Sequence, residues 1–204
     1  MLRLIISILV ASLFWFVMFS PWTSPHVNFW YMMLGATGIL TALSFWFGKD
    51  WKKQFSFTLK DVGLGLLTAV FLYGVFYIGN ELSTLLFDFS RPQGDSVYSM
   101  RDGESKLFLG LALLFWIGPA EEIFWRGYVQ REIESKKGTW KAFIITTLIY
   151  AFVHIWAFNF MLFMAALICG AFWGLMYTQK KNLLPLVISH AVWDVAIFIL
   201  FPIK

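Results

Sequence analysis

The sequence predicts an all-α protein, a polytopic bundle of about seven transmembrane helices with its N-terminus in the cytoplasm. Three observations carry that reading. The chain is 59% hydrophobic, 20% aromatic and only 14% charged, whereas soluble domains sit near half apolar and a quarter charged. Its mean hydropathy is +0.70, and a water-soluble fold of 204 residues has no room to hide eleven Trp and 23 Phe. The apolar residues also fall into separate runs, each near the length of about 20 residues that a helix needs to cross hydrocarbon.

The runs follow in order at 4–20, 27–47, 62–82, 107–130, 142–157, 161–178 and 183–201. The first follows Arg3 as a signal peptide would, but no small-x-small cleavage site comes after it, so a retained span is expected. The fifth and sixth are short and joined by AFNF, which predicts a tight hairpin buried among other helices. No repeat or low-complexity tract interrupts the chain, so residues 1–204 read as one integral-membrane domain. Within it, residues 1–87 supply three N-terminal spans and 107–201 a helical core.

Orientation follows from the basic residues. With the N-terminus inside, the inner segments hold Arg3, Lys49, Lys52, Lys53, Lys60, Arg126, Arg131, Lys136, Lys137, Lys141, Lys180 and Lys181, twelve of the sixteen. The outer segments hold only Arg91, Arg101, Lys106 and Lys204. A threefold excess of Lys and Arg marks the cytoplasmic side. The net charge of +4 is accounted for by those loops and implies no nucleic-acid partner. Residues 48–61 are basic and aromatic and are expected along the inner headgroups. Residues 88–105 are polar and rich in turn formers, which predicts a mobile outer loop. The single cysteine, Cys169, excludes an intramolecular disulfide and a cysteine-rich metal site, and reads as a packing residue.

Against this apolar background, ionisable residues inside the runs are the functional candidates, because each costs several kcal/mol in hydrocarbon unless paired or hydrated. They are Glu121 and Glu122, His154, His190 and Asp194, with Glu81 near an outer end. His26 lies in a short outer turn and reads as an ordinary exposed residue. Depth ties the others together. At about 1.5 Å per residue, Glu121 lies roughly 15 Å above Arg131, His154 roughly 20 Å above Lys141, and His190 and Asp194 roughly 14 and 20 Å above Lys181. Three helices thus bring their polar groups into one slab near the bilayer middle, as a single site requires.

Spacing sorts the members. His190 and Asp194 are four apart and face one object. Glu122 and Arg126 are also four apart, which suits an ion pair along one helix face. Glu121 points about 100° away, free to work. Pro119 removes a backbone donor just before the acids and is expected to kink the helix and admit water. Tyr150, one turn before His154, is placed to orient the imidazole or to line the pocket. Gly170 and Gly174 form a small-xxx-small pair for close helix packing.

These residues resemble the CAAX prenyl protease and bacteriocin-processing family of intramembrane proteases, also called the Abi or CPBP family. Its EExxxR signature is matched by Glu121, Glu122 and Arg126. Its aromatic-x-x-x-His motif is matched by Tyr150 and His154, with Tyr in place of the usual Phe, and its HxxxN/D motif by His190 and Asp194. The resemblance covers about 107–201; the first three spans fit it only as generic membrane helices. It implies an endopeptidase cleaving a peptide bond of a membrane-associated substrate, a prenylated CAAX-type protein or a leader peptide, with membrane lipids as the other partner. Glu121 and His154 would activate water, while His190 and Asp194 would hold the oxyanion or complete the site, with Glu122, Arg126 and Tyr150 in support.

Two chemistries stay open at this point. Glu121, His154 and His190 are a sufficient set for Zn²⁺, leaving a fourth position for water. Without metal, a buried Glu121 is itself a usable general base. Asp194 replaces the hydrogen-bond-donating asparagine, and an ionised aspartate repels an oxyanion, which tilts the reading slightly towards a metal. The expected cavity opens towards the cytoplasm. The small chain without an N-x-S/T sequon fits a bacterial plasma membrane. The competing readings are a proton-coupled transporter, which also uses mid-membrane acids and histidines, and a non-catalytic bacteriocin-immunity protein. The transporter reading lacks an inverted repeat or paired broken helices.

Overall fold

The computed structural model describes residues 1–203, and among them the chain forms eight helices and no strand. They are α1 (Leu2–Phe19), α2 (Phe29–Phe47), α3 (Leu59–Leu86), α4 (Ser90–Ser99), α5 (Lys106–Lys137), α6 (Thr139–Ala157), α7 (Phe160–Lys180) and α8 (Leu184–Leu200). Six of these, all but α4 and α8, are long and apolar enough to cross a bilayer, and α8 is a shorter apolar helix. The protein is therefore an all-α polytopic membrane bundle. The expected short spans at 142–157 and 161–178 are in fact 19 and 21 residues long, and the short element is the last one.

Local chemistry sets the helix starts. Asn28 accepts from the amides of Trp30 and Tyr31 to begin α2, and Asn159 accepts from Leu162 to begin α7. Thr58 accepts from the Asp61 amide while its hydroxyl donates to the Asp61 carboxylate at 2.8 Å, a reciprocal cap on α3. Between α6 and α7 the turn is tight, as AFNF predicts: Phe158 takes a left-handed φ of 48°. Large apolar side chains such as Leu9, Leu67, Val70, Ile78 and Trp46 remain exposed, forming the surface that lipid covers.

Helix α5 is the axis of the bundle, and it is not a regular α-helix. Residues Leu113–Ile117 and Ile123–Gln130 are wound as π-helix on either side of Gly118–Glu122. The wider turn ahead of Pro119 gives a local reason for the irregularity, since proline lacks the amide that would continue an α pattern. Small residues bring the neighbours close. A Cβ at Gly118 would lie 2.9 Å from the Ala191 Cα of α8, and one at Gly65 of α3 would lie 2.7 Å from Ile188 Cβ of α8. Gly170 of α7 meets the Tyr150 ring of α6, and Gly174 meets Phe143, so both glycines serve close packing.

The loops segregate into two faces. On the basic face, Arg131 donates to the Lys49 carbonyl at 3.0 Å, Lys181 pairs with Glu134, and Gln54 meets the Tyr177 hydroxyl at 2.9 Å. On the opposite face, Asn28 bonds Glu104 at 2.8 Å, Trp30 bonds the Met100 carbonyl at 2.8 Å, and Arg101 donates to the Phe198 carbonyl. Residues 88–105 are not a loose loop. Most of them form α4, whose Pro92 sits in the tolerant first turn. Its Gln93 accepts from Asn159 and the Met161 amide, at 2.8 and 2.9 Å. Nor do residues 51–56 simply lie along headgroups: the Trp51–Gln54 turn buries Gln54 in the bundle.

Candidate active site

Glu121, Tyr150, His154, His190 and Asp194 line one cavity of about 430 Å³. Four side chains singled out by depth and spacing thus share one space, although they come from α5, α6 and α8. All are buried, and so are Glu122 and Arg126 behind them. Glu81 and His26 are exposed and take no part.

The two glutamates have different surroundings. Glu121 Oε2 accepts a hydrogen bond of 2.9 Å from the Tyr150 hydroxyl, and its carboxylate faces the cavity. Glu122 is fully buried and its Oε1 is shared, receiving Arg126 Nη1 at 2.8 Å and His190 Nδ1 at 2.8 Å. The expected Glu122–Arg126 pair is present, but it is one arm of a larger network. Arg126 also points Nη2 at the Cys169 and Gly170 carbonyls, each at 3.4 Å, and lies over the rings of Tyr150 and Trp173. The close approach of Gly118 to Ala191 is what brings Glu122, one turn along α5, beside His190.

His190 is clamped on three sides. Nδ1 donates to Glu122, the ring stacks on Trp173 at 3.7 Å between centroids, and Trp173 is itself held by a 3.1 Å bond to Ser189. Nε2 lies 3.5 Å from Asp194 Oδ2. That is too long for a good hydrogen bond, so this nitrogen keeps its capacity for another partner.

His154 is held differently from the expectation. Its residue lies in a tightened 3₁₀ turn, Val153–Ala157, and Nδ1 is 2.8 Å from the Tyr150 carbonyl. Nε2 is 3.0 Å from Nε1 of Trp15, which comes from α1. An indole N–H only donates, so Nε2 accepts, Nδ1 carries the proton, and the ring is neutral. Tyr150 therefore orients the imidazole through its carbonyl, while its hydroxyl serves Glu121. Trp15 and Trp173 were invisible to sequence reasoning, since tryptophans in apolar runs carry no positional signal.

The residues do not form a zinc set as arranged. Among the described residues, no three His, Cys, Asp or Glu groups converge as metal ligands. Both nitrogens of His154 are engaged, and one nitrogen of His190 is committed to Glu122. Glu121, His154 and His190 thus share a cavity without sharing a coordination point.

The cavity also runs the other way from the expected one. From Glu121 and His190 it extends past Phe76, Asn80 and Ser83 to Arg91, Asp95 and Tyr98 of the α3–α4 region. Those residues belong to the face opposite the basic loops. On the basic side the site is closed by Trp51 and Leu183 packed on Gly127, by Gln130 bonded to the Gly174 carbonyl at 3.0 Å, and by the buried Gln54.

Residues 103–196 match the family model described as Type II CAAX prenyl endopeptidase Rce1-like. No curated protein and no solved structure matches the chain. The matched residues include all three motifs and every member of the polar cluster except Trp15. The segment that builds the site is therefore similar to the Rce1-like family of CAAX prenyl endopeptidases, the family that its motifs resemble.

Proposed function

We propose that the protein is an intramembrane endopeptidase that hydrolyses a peptide bond of a membrane-associated substrate, with Glu121 as the general base. The observation that carries this reading is the Glu121 carboxylate, buried, facing the cavity and aimed by Tyr150. A carboxylate in such a setting takes a proton from water while the water oxygen attacks the carbonyl carbon. The same proton then passes to the leaving amine as the C–N bond breaks. With Nδ1 donating to Glu122, His190 in its imidazolium form has an Nε2–H, not spent on Asp194, as the donor for the oxygen that becomes negative. Glu122, Arg126 and Trp173 fix that imidazole so that little reorganisation is needed in the reaction.

His154 joins as a second proton acceptor only after Trp15 releases Nε2; while the bond lasts, it positions the Tyr150 end of α6. Asp194 stands beside His190 as its electrostatic partner. The family name supplies a prenylated CAAX-type protein as one proposed substrate class, and a leader peptide is the other. A bacterial plasma membrane is the proposed location. The test is cleavage of a peptide library by detergent-purified protein, comparing wild type with Glu121→Gln. Activity is expected to fall by about two to four orders of magnitude with the thermal melt unchanged. Full activity in a folded Glu121→Gln protein would remove the assignment.

A further inference from the structure

Two independent features place the mouth of the cavity relative to the membrane. The first is charge. With Arg126 buried in the site, eleven of the sixteen Lys and Arg residues lie on one end of the bundle, which the positive-inside rule puts in the cytoplasm. The second is shape. The cavity reaches only the other end: Phe19 of α1, Trp30 of α2, Ser83 of α3, Met161 of α7 and Phe198 of α8 all lie in the halves of their helices nearest that end. No residue of the basic turns at 48–58, 131–141 or 178–183 lines it.

The closure on the basic side is built. Trp51 and Leu183 occupy the space a Cβ would need at Gly127, immediately beyond Arg126. The Leu183 amide donates to the Gln54 carbonyl at 2.7 Å, and Asn182 is bonded to both backbone groups of Ser56, at 3.1 and 3.0 Å. On the other side the mouth is rimmed by Arg91 and Asp95, one helical turn apart on α4 and both exposed. A rim with one charge of each sign suits a peptide backbone and its polar side chains. The walls between rim and acids are mostly apolar, with Asn80 and Ser83 among them, suited to a hydrocarbon or apolar side chain.

We propose that the site takes its substrate from the extracytoplasmic face, so that the substrate class is a membrane-anchored peptide segment presented at the outer leaflet. The inference rests on the peptidase reading for what happens at Glu121, and on charge and cavity shape for the side of entry. On the basic face the Trp51–Leu183 closure stands between the loops and the acids.

Sidedness is tested apart from catalysis. Asp95→Cys and, as a second rim position, Arg91→Cys are compared with Lys137→Cys on the basic face, using a membrane-impermeant maleimide and wild type as control, since Cys169 is buried. The rim cysteines are expected to label in intact cells, and Lys137→Cys only in inverted vesicles. Cleavage of an impermeant quenched peptide is then measured in sealed right-side-out and inverted vesicles and in detergent. A rate at least tenfold higher in right-side-out vesicles, equalised by detergent, is expected. Cleavage confined to inverted vesicles, or Lys137→Cys labelling in intact cells, would overturn the proposal. Absence of cleavage even in detergent would instead overturn the peptidase reading, and the labelling would still decide which face holds the mouth.

Discussion

Adjacent Glu121 and Glu122 do unlike jobs because the helix turns them into different neighbourhoods. Glu121 meets one hydroxyl and open space; Glu122 meets an arginine and an imidazole and no space at all. Tyr150→Phe keeps the ring against Gly170 and removes only the bond to Glu121. A hydrogen bond to a charged group is worth about 1.5–3 kcal/mol, so a loss of about ten- to a hundredfold in kcat, with KM little changed, is expected in the peptide assay. Glu122→Gln leaves Arg126 buried without its countercharge, which costs about 3–5 kcal/mol and is read as a lowered melt in detergent. The double variant Glu122→Gln, Arg126→Met removes the stranded charge as well. It is expected to recover stability but not activity, because His190 Nδ1 still lacks its carboxylate. Recovery of both would show that Glu122 matters only to folding. The Glu122–Arg126 pair was legible because it lies within one helix at a fixed spacing. The Glu122–His190 bond was not, because it spans 68 positions and depends on how two helices meet.

At the scale of elements, the meeting of α5 and α8 decides the site. Gly118 lies against Ala191, and the π-wound stretches on either side change the phase with which α5 presents its side chains. Periodicity assigned α5 its helix but not this winding, since π-helix arises from proline and packing and not from a repeat of apolar residues. Gly118→Val places branched carbon where backbone atoms already stand at 2.9 Å. Overpacking of this kind costs about 1–3 kcal/mol and here separates Glu122 from His190. The expected outcome is a protein that melts lower and cleaves at least tenfold more slowly, whereas Gly110→Ala, where a Cβ meets nothing, changes neither. The α4 segment shows the complementary limit. SRPQGDSVYS reads as turn formers, and its helix exists because Asn159 and the Met161 amide hold Gln93 over the bundle, with Arg101 just beyond it tied to the Phe198 carbonyl. Tertiary contact overrode propensity there.

At the scale of the whole molecule, the family match stops short of one residue that the site depends on. Residues 103–196 carry the three motifs, yet the lone pair of His154 is occupied by Trp15, far outside that segment. The fold class, the span order and the cluster of four polar residues were all readable, because hydropathy and spacing are local properties. What α1 does was not, because Trp15 differs from the other ten tryptophans only in where the bundle puts it. Trp15 is fully buried, edge-on to Trp125 as well as bonded to His154, so α1 is part of the wall of the site. If His154 serves by accepting a proton, the indole N–H competes with that role, and Trp15→Phe removes the competitor while keeping an aromatic wall. The expected result is a kcat equal to or above wild type with an unchanged melt, beside a His154→Ala variant that is inactive. A tenfold or greater fall in Trp15→Phe would reverse the assignment: the bond itself would then be the working part, with His154 a spacer that α1 holds against Tyr150. A rise above wild type or a fall below it would each make α1 part of the reaction, the first because Trp15 restrains the imidazole and the second because it supports it; an unchanged kcat would leave Trp15 as a wall residue.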